Sequence, residues 1–429
     1  MTGGTDAVRA RWSRRRFVGA LGAATAGGVL AGCGDGSSGA AAPAASAPGS
    51  ASGSPAPSAG RDGSAGSAPA ASPTASSGAA ARPLFIGTYT SAEGGGRGIG
   101  LAAYDPGSGR ITGTGTLTGV PDPSYLAVHP DGRTLYAVNE RERGAVTAVR
   151  IGDRKVLGSR PTDGAQPCHL SVHPSGRWLL SADYGSGTVA VHRVEASGAL
   201  GGRTALVRHT RPAPGPGQQG PHAHQVVTAP DGGHVLAVDL GTDTVYSYRL
   251  DDAAGTLTEV AQAHTRPGAG PRHLTFHPGG RYAYLADELD DTVAVCAYDP
   301  GTGRLTIGAP QSTGSGQKES GQKGPGTNYP AQFVVSPDGA HAFLANRGAN
   351  TLARYAVEAD GARLRLLGTV PVAGDFPRQL ALAPGGRLLF AANQRSGSVS
   401  VFHVDPADGG LRLAGEPFAS PVAVCALPL

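Results

Sequence analysis

The sequence contains little cysteine, with four residues in a chain of 429. Three of them, Cys168, Cys296 and Cys425, are an odd number without CxxC spacing, and Cys33 stands apart near the N-terminus. A disulfide framework needs an even set of cysteines at regular spacing, so this pattern argues against one. We therefore expect free, buried thiols in the folded region.

The sequence also lacks an excess of charge of one sign once its first 32 residues are set aside. Those residues carry five arginines and one aspartate, which leaves 31 basic and 31 acidic side chains in the remainder. A protein that binds nucleic acid needs a basic surface to neutralise phosphates, and no basic stripe is present. We therefore expect no nucleic-acid partner.

Two further features are missing. No Gly-x-Ser-x-Gly segment occurs, which excludes the usual serine hydrolase. The apolar run from Phe17 to Leu30 has 14 residues. Crossing about 30 Å of hydrocarbon takes roughly 20 residues, so this run is too short to be a membrane-spanning helix.

The segment around that run is typical of an export signal. Residues 13–18 read SRRRFV, a twin-arginine pattern. Residues 30–33 read LAGC, which resembles a lipobox, where the signal is cut before a cysteine that is then lipidated. We predict a signal peptide over residues 1–32, export by the twin-arginine route, and an extracytoplasmic protein attached to the cell membrane only through a lipid anchor at Cys33.

After Cys33, residues 34–82 consist almost wholly of Ala, Gly, Ser and Pro, with no aromatic residue, Leu, Ile or Val. Such a segment cannot bury enough apolar surface to fold. We predict a disordered linker with a root-mean-square span of roughly 40 Å, enough to hold a folded domain away from a membrane.

The rest of the chain is rich in one repeated pattern, with steps of 44 to 59 residues. Each copy has a proline, alternating apolar residues and a second proline seven positions later, except that Ala223 replaces the first proline of one copy. Steps of this length indicate propeller blades or a repeat array. The second prolines are Pro130, Pro174, Pro230, Pro278, Pro337, Pro384 and Pro428.

Within each step the pattern predicts four strands. A copy such as PSYLAVHP predicts an inner strand A, a turn such as PDGR follows, and runs such as RWLLSADY and TVAVHRV predict strands B and C before a weaker fourth segment. The N-terminal runs LFIGTYT, GIGLAAYDP and RITGTG lack a strand A, which the C-terminal PVAVCALPL supplies. We predict an all-β, seven-bladed β-propeller over residues 83–429, with four antiparallel strands per blade, closed by the C-terminal strand joining the N-terminal blade.

Two variable positions should meet at one rim of this ring, because strands A and B are antiparallel. At the start of strand A stand Ser124, Cys168, His224, Arg272, Ala331 and Arg378. After strand B stand Glu140, Tyr184, Leu240, Glu288, Arg347 and Gln394, with Tyr89 at the equivalent end of the first blade. In these six repeats the residue just before the variable position after strand B is Asn or Asp, typical of a side chain that hydrogen-bonds the backbone of its own turn. These residues are Asn139, Asp183, Asp239, Asp287, Asn346 and Asn393.

The variable set suits an anionic substrate. Guanidinium groups bind carboxylate or phosphate and stabilise an oxyanion, while a histidine or glutamate moves a proton. The alternative is that these residues are rim ion pairs without a chemical role. The two longest steps place extra residues at 201–220 and 311–329, which we expect to overhang the same mouth.

Other residues are weaker candidates. Three histidines, at positions 129, 173 and 277, fall at the opposite rim, where a turn or packing role is expected. His222 and His224 form an HxH pair, but nearby arginines would repel a cation and no matching carboxylates follow. We expect no metal and no cofactor. Cys168 lies near the mouth, but no motif supports it as a nucleophile.

Several motifs taken together resemble the lactonase family of seven-bladed propellers, which includes a 6-phosphogluconolactonase type and carboxymuconate lactonizing enzymes. These motifs are FIGTYT, PHAHQVV, GPRHLTFHPGGRYAYLADEL, NYPAQFVVSPDG, FLANRG and FPRQLALAPGGRLLFAANQ, and the resemblance covers residues 83–429. The resemblance implies four catalytic residues: His224, Arg272, Glu288 and Arg347. Beside them, the candidate substrate-binding residues are Arg378, His222, Glu140, Tyr89 and Gln394. The chain departs from the family at Asp287, where the family more often has Asn.

The resemblance implies a hydrolase that opens an acidic, sugar-derived lactone without a metal, with either Glu288 or His224 as the base. Export favours an unphosphorylated or differently acidic lactone, because sugar-phosphate lactones are cytoplasmic. Two alternatives remain: a non-catalytic, surface-displayed propeller that binds a ligand or protein, and a cyclase-type lyase acting on a muconate. We expect a monomer with a small-molecule acidic lactone as its partner.

Overall fold

The computed structural model describes residues 80–215, 218–316 and 327–429. The predicted signal peptide, the lipidation site at Cys33 and nearly all of the predicted linker lie outside the described residues. The described chain forms 29 strands and one short 3-10 helix, Ala359–Gly361. Among these residues, no helix has the length and apolar character needed to cross a membrane.

The strands form seven antiparallel sheets, which are the blades. Blade 1 begins with β1 (Arg82–Thr88), β2 (Ile99–Tyr104) and β3 (Ile111–Leu117). Blade 2 has β4 (Leu126–Val128), β5 (Thr134–Asn139), β6 (Ala145–Arg150) and β7 (Lys155–Pro161). Blade 3 has β8 (Pro167–Val172), β9 (Trp178–Asp183), β10 (Thr188–Val194) and β11 (Leu200–Arg208). Blade 4 has β12 (Ala223–Thr228), β13 (His234–Asp239), β14 (Thr244–Asp251) and β15 (Thr256–His264).

The second half of the ring repeats this plan. Blade 5 has β16 (Pro271–Phe276), β17 (Tyr282–Asp287), β18 (Thr292–Asp299) and β19 (Arg304–Ser312). Blade 6 has β20 (Tyr329–Val335), β21 (His341–Arg347), β22 (Thr351–Glu358) and β23 (Arg363–Pro371). Blade 7 has β24 (Pro377–Leu382), β25 (Leu388–Asn393), β26 (Ser398–Val404) and an outer strand split into β27 (Leu411–Leu413) and β28 (Phe418–Ala419). The last strand, β29 (Ala423–Pro428), returns to blade 1.

The inner strands form a closed circle. Strand A of each blade, which is β29 in blade 1, contacts strand A of both neighbouring blades. Strand β29 pairs antiparallel with β1, from Leu84 opposite Pro428 to Thr88 opposite Ala423. The predicted seven-bladed, all-β fold with closure by the C-terminal strand is therefore confirmed.

The core consists of seven apolar layers, one between each pair of neighbouring blades. Blades 3 and 4, for example, bury Trp178 and Leu180 against Val226 and Tyr248. Alternation of side chains along each strand makes this possible, because a blade buries both of its faces against its two neighbours. The three cysteines of this region are buried and form no disulfide, as the sequence predicts.

Both predicted loops begin later in the chain than expected, and residues 216–217 and 317–326 within them lie outside the described residues. Residues 200–208 continue as strand β11, and residues 311–312 end strand β19. The extra strand length in blade 3 forms because Ala205 and Val207 pack against the apolar layer between blades 3 and 4. The connections after β11 and β19 lead into β12 and β20, which carry residues of the predicted site at their starts.

The histidines of the opposite rim have structural contacts. The Nε2 atom of His129 lies 2.9 Å from the carbonyl oxygen of Gly176, and that of His173 lies 3.1 Å from the carbonyl oxygen of Gly232. Each glycine belongs to the turn between strands A and B of the next blade. His129 and His173 thus tie neighbouring blades together, whereas Nδ1 of His277 accepts a 3.0 Å hydrogen bond from the N–H of Gly279 in its own turn.

Candidate active site

A β-bulge occurs near the start of strand A in blades 3, 4, 5 and 7. In blade 5, Pro271 is opposite Asp287 and His273 is opposite Ala286, so Arg272 is the extra residue between them. The same register shift makes Cys168, His224 and Arg378 the extra residues of the other three blades. A bulge re-aims the side chain of its extra residue. The fold therefore turns this variable position into a set of projecting side chains.

Glu288 is fixed beside that bulge by the backbone. Its N–H donates a 2.7 Å hydrogen bond to the carbonyl oxygen of Gly270, the residue before strand β16. Equivalent bonds join Glu140 to Asp122 and Gln394 to Phe376. Residues after strand B and before strand A are therefore held at the same rim in each of these blades.

The main feature of the site is one carboxylate between two guanidinium groups. The Oε2 atom of Glu288 lies 2.8 Å from Nε of Arg272 and 2.5 Å from Nη2 of Arg347. The two arginine side chains are 2% and 6% exposed, whereas that of Glu288 is 17% exposed. The arginines come from blades 5 and 6, so the pairing joins two blades and leaves the carboxylate as the more accessible group.

Arg347 is also bounded by aromatic rings. Its Nε donates a 3.1 Å hydrogen bond to the carbonyl oxygen of Tyr329. Its Cζ lies 5.9 Å from the ring centre of Tyr329 and 5.3 Å from that of Phe376. Both are within the range of a cation–π contact. Sequence reasoning did not select Tyr329 or Phe376. Each directly precedes the first proline of its copy of the repeat, Pro330 or Pro377.

A second polar group lies where blades 1, 2 and 7 meet the rim. The hydroxyls of Tyr89 and Ser124 donate hydrogen bonds of 2.8 and 2.5 Å to Oε2 of Glu140. The guanidinium of Arg378 lies 5.7 Å from the ring centre of Tyr89. Three of the residues predicted to bind substrate are thus brought together here.

The third group contains His222 and His224, at the start of blade 4. The ring of His222 stacks on Tyr184 with centres 4.4 Å apart, and its Nδ1 lies 2.8 Å from the carbonyl oxygen of Tyr184. The ring of His224 lies 5.6 Å from Tyr184 and 5.4 Å from His273. Both histidines therefore contact Tyr184, and only His224 also reaches His273. Among the residues that the structure describes, no three His, Cys, Asp or Glu side chains are grouped as a metal site would need.

Two buried histidines lie beneath these groups. Burial, reinforced by Arg272, lowers the pKa of His169 to about 3. Burial also lowers the pKa of His273 well below its ordinary value, with further contributions from Arg272, His169, Arg378 and Arg347. All three arginines, which come from blades 5, 6 and 7, act on the pKa of this ring in the same direction. Sequence reasoning missed both histidines, although each stands two residues after the first proline of its copy, in PCHL and PRHL.

The Asn and Asp residues at the ends of strand B bind more than their own turns. The Oδ1 atom of Asp239 accepts hydrogen bonds from the N–H groups of His222, Gly241 and Thr242. Its Oδ2 lies 2.6 Å from Nδ1 of the buried His209. This carboxylate thereby ties the connection before β12 to the end of strand B, and it helps to place His222.

Replacing Asp287 with asparagine is expected to stabilise the protein at neutral pH. The carboxyl is 2% exposed, and burial raises its pKa well above the ordinary value. A raised pKa means that protonation favours the folded state. Protonated Asp287 therefore costs the folded state nothing below a pH of about 4, where the unfolded chain is protonated as well. As the pH rises from there through the folded-state pKa, the folded protein loses stability relative to the unfolded chain.

Because asparagine does not ionise, the variant should gain roughly 1–3 kcal/mol in free energy of unfolding at pH 8 and less at pH 5. Urea titrations at both pH values measure this difference. The exposed Asp408, changed to asparagine, serves as the control and should show no pH-dependent gain. A variant of Asp287 that is less stable than the wild type at pH 8 would contradict the expectation.

The fold and site define a class: a seven-bladed β-propeller with a carboxylate held between arginines at one rim. The family model described as "Lactonase, 7-bladed beta-propeller" matches residues 83–428, and the chain belongs to this family. A relative named 6-phosphogluconolactonase, from Bacillus subtilis, is 31% identical over 296 residues, which are 68% of this chain and 82% of the relative.

Solved structures agree with this assignment. A protein described as a periplasmic gluconolactonase, from Pseudomonas aeruginosa, is 31% identical with a TM-score of 0.74, and the match covers 82% of this chain and 99% of that chain. A putative 6-phosphogluconolactonase from Bacteroides fragilis is 27% identical with a TM-score of 0.74, covering 81% of this chain and 98% of that chain. These similarities support a lactonase-like function.

Proposed function

We propose that this protein hydrolyses an acidic, sugar-derived lactone at the rim that carries Glu288. The observation on which the proposal depends is the pairing of one carboxylate with the guanidinium groups of Arg272 and Arg347. Membership of the lactonase family and the names of its relatives support the same reaction.

Lactone hydrolysis needs three things from a protein. A base takes a proton from water as the water oxygen bonds to the lactone carbonyl carbon, and the carbonyl oxygen becomes an oxyanion. Donors stabilise that oxyanion until the ring carbon–oxygen bond breaks. The ring oxygen then takes up a proton, which gives an open-chain hydroxy acid.

The residues at the rim are suited to these steps. Arg272 and Arg347 bind the acidic group of the substrate and the developing oxyanion, because guanidinium groups make strong, directed hydrogen bonds to anionic oxygens. Glu288 or His224 takes the proton from water. Glu140, with the hydroxyls of Tyr89 and Ser124 on its Oε2, lies at another part of the rim, where its carboxylate would accept hydrogen bonds from sugar hydroxyls.

We also propose that the chain is an exported lipoprotein in which a linker over residues 33–82 carries the propeller of residues 83–429. The twin-arginine pattern and the LAGC segment support this. A lactone that occurs outside the cytoplasm would then be the substrate, which favours an unphosphorylated or differently acidic lactone. The similarity to the Pseudomonas aeruginosa protein, described as a periplasmic gluconolactonase, supports the same choice.

A lactone panel tests the proposal. Purified protein is assayed with D-glucaro-1,4-lactone, which is unphosphorylated and carries a free carboxylate, with D-glucono-1,5-lactone and its 6-phosphate, and with a muconolactone, by following acid release against spontaneous hydrolysis. We expect turnover of a sugar lactone and a loss of about a hundredfold or more in Glu288→Gln, which keeps the shape of the side chain and removes its charge. A preference for the unphosphorylated lactone agrees with export, and the reverse preference contradicts that part.

The same panel separates the other readings. Interconversion of muconolactone with its open-chain acid, without turnover of sugar lactones, would identify a cyclase-type lyase. Saturable binding of a lactone without turnover would identify a binding propeller. Equal activity of wild type and Glu288→Gln on every lactone would remove Glu288 from the mechanism.

A further inference from the structure

Phe376 has an unusual backbone conformation for a bulky residue. Its φ angle is +65°, in the left-handed region that disfavours side chains with a large Cβ substituent. The residue directly before the first proline has a positive φ in three other blades, where it is Asp122, Gln166 or Gly270. Glycine and aspartate adopt this conformation at lower cost than phenylalanine. The conformation thus recurs in four of the seven blades, and this recurrence does not by itself account for an aromatic residue.

The surrounding residues hold Phe376 in this conformation from both sides. Its N–H donates a 2.8 Å hydrogen bond to Oδ1 of Asn350, which belongs to blade 6. Its carbonyl oxygen accepts a 3.0 Å hydrogen bond from the N–H of Gln394 in blade 7. Asn350 also donates a 2.7 Å hydrogen bond to Asp375. A disfavoured backbone persists where neighbours determine it this strongly, and such positions cluster at functional sites.

The ring of Phe376 lies between two guanidinium groups. Arg395 has its Cζ 3.8 Å from the ring centre, and Arg347 has its Cζ 5.3 Å from it. Arg395 is exposed, whereas Arg347 is buried and forms the ion pair with Glu288. The strained backbone therefore places an aromatic surface against one of the two arginines of the proposed anion site.

We propose that Phe376 is a positioning residue that holds the guanidinium of Arg347 in the orientation that binds the acidic group of the substrate. An arginine side chain has many rotamers, and an anion that binds it must otherwise fix one of them. The ring of Phe376 restricts this freedom before the substrate arrives. This inference rests on the proposed function, because it concerns the same site.

The test uses Phe376→Gly, which removes the ring and relieves the left-handed backbone, and Phe376→Tyr, which keeps the ring. We expect Phe376→Gly to keep or raise the melting temperature, to raise KM for the acidic lactone about tenfold and to change kcat less than threefold. Phe376→Tyr, which keeps an aromatic ring at this position, should have a KM near the wild-type value. Gln166→Gly relieves the same backbone conformation in blade 3 and should leave KM unchanged.

A binding measurement separates failure of this inference from failure of the proposed function. D-gluconate, an open-chain hydroxy acid, is titrated into wild type and variants by calorimetry. About tenfold weaker binding by Phe376→Gly supports the inference even if no lactone is hydrolysed. A Phe376→Gly variant with wild-type KM and wild-type gluconate affinity would overturn the role of Phe376 without affecting the proposal of lactone hydrolysis. Wild-type protein that does not bind gluconate would also overturn the role of Phe376.

Discussion

Replacing Arg272 with methionine is expected to lower kcat/KM for the acidic lactone by about a hundredfold or more. The Arg272 guanidinium is one of the two that converge on Glu288, at 2.8 Å, and it lies on the bulge of strand β16. Methionine fills much of the same volume without a charge or hydrogen-bond donor. The loss should therefore come from weaker stabilisation of anionic oxygens.

The measurement is steady-state hydrolysis of the lactone that the wild type turns over fastest. Arg203→Met is the control, because Arg203 pairs with Asp163 and neither residue belongs to the proposed site. Near wild-type activity in both Arg272→Met and Glu288→Gln would refute the proposed mechanism. The loss of transition-state stabilisation in the double variant should be smaller than the sum of the losses in the two single variants, because the two side chains are in direct contact.

Deleting residues 421–429 is expected to lower the melting temperature by roughly 10 °C or more, or to prevent folding. The deletion removes strand β29 and so leaves the edge of β1 without its partner. It also takes Ala423 and Ala426 from the apolar layer between blades 7 and 1, and Cys425 from the layer between blades 1 and 2. The ring would then lose its closure and part of two core layers together.

Thermal unfolding followed by circular dichroism measures this effect. Cys425→Ala is the matched control, because it changes one buried side chain and keeps every backbone hydrogen bond of β29. We expect the control to melt within a few degrees of the wild type. A truncated chain that melts together with the wild type would show that closure contributes little to stability.

The number of blades and the closure could be predicted because the sequence repeats its own pattern. Alternating apolar residues between two prolines recur seven times, with Ala223 in place of the first proline in one copy, and an inner strand must alternate in this way to be buried. The unmatched strands at the two ends left one arrangement without an exposed edge. The lengths of β11 and β19 were not predictable in this way, because outer strands have weak alternation and are set by packing against the next blade.

The positions of the site residues were likewise predictable, since antiparallel strands A and B must meet at one rim. Their contacts were not. The bulges that project Arg272, His224 and Arg378 depend on the register between strands, which these copies do not encode in any separate motif. The contribution of Phe376 depends on a left-handed backbone held by Asn350 from another blade.

The sequence alone determined the blade count, the order of the strands and the rim on which its variable residues stand, because each follows from a period along the chain. Only the tertiary structure decided that Glu288 lies between two arginines, that His222 and His224 both contact Tyr184, and that His273 is buried next to His224. The physical reason is that these relations join different blades, and the distance between blades is set by side-chain packing rather than by spacing in the chain.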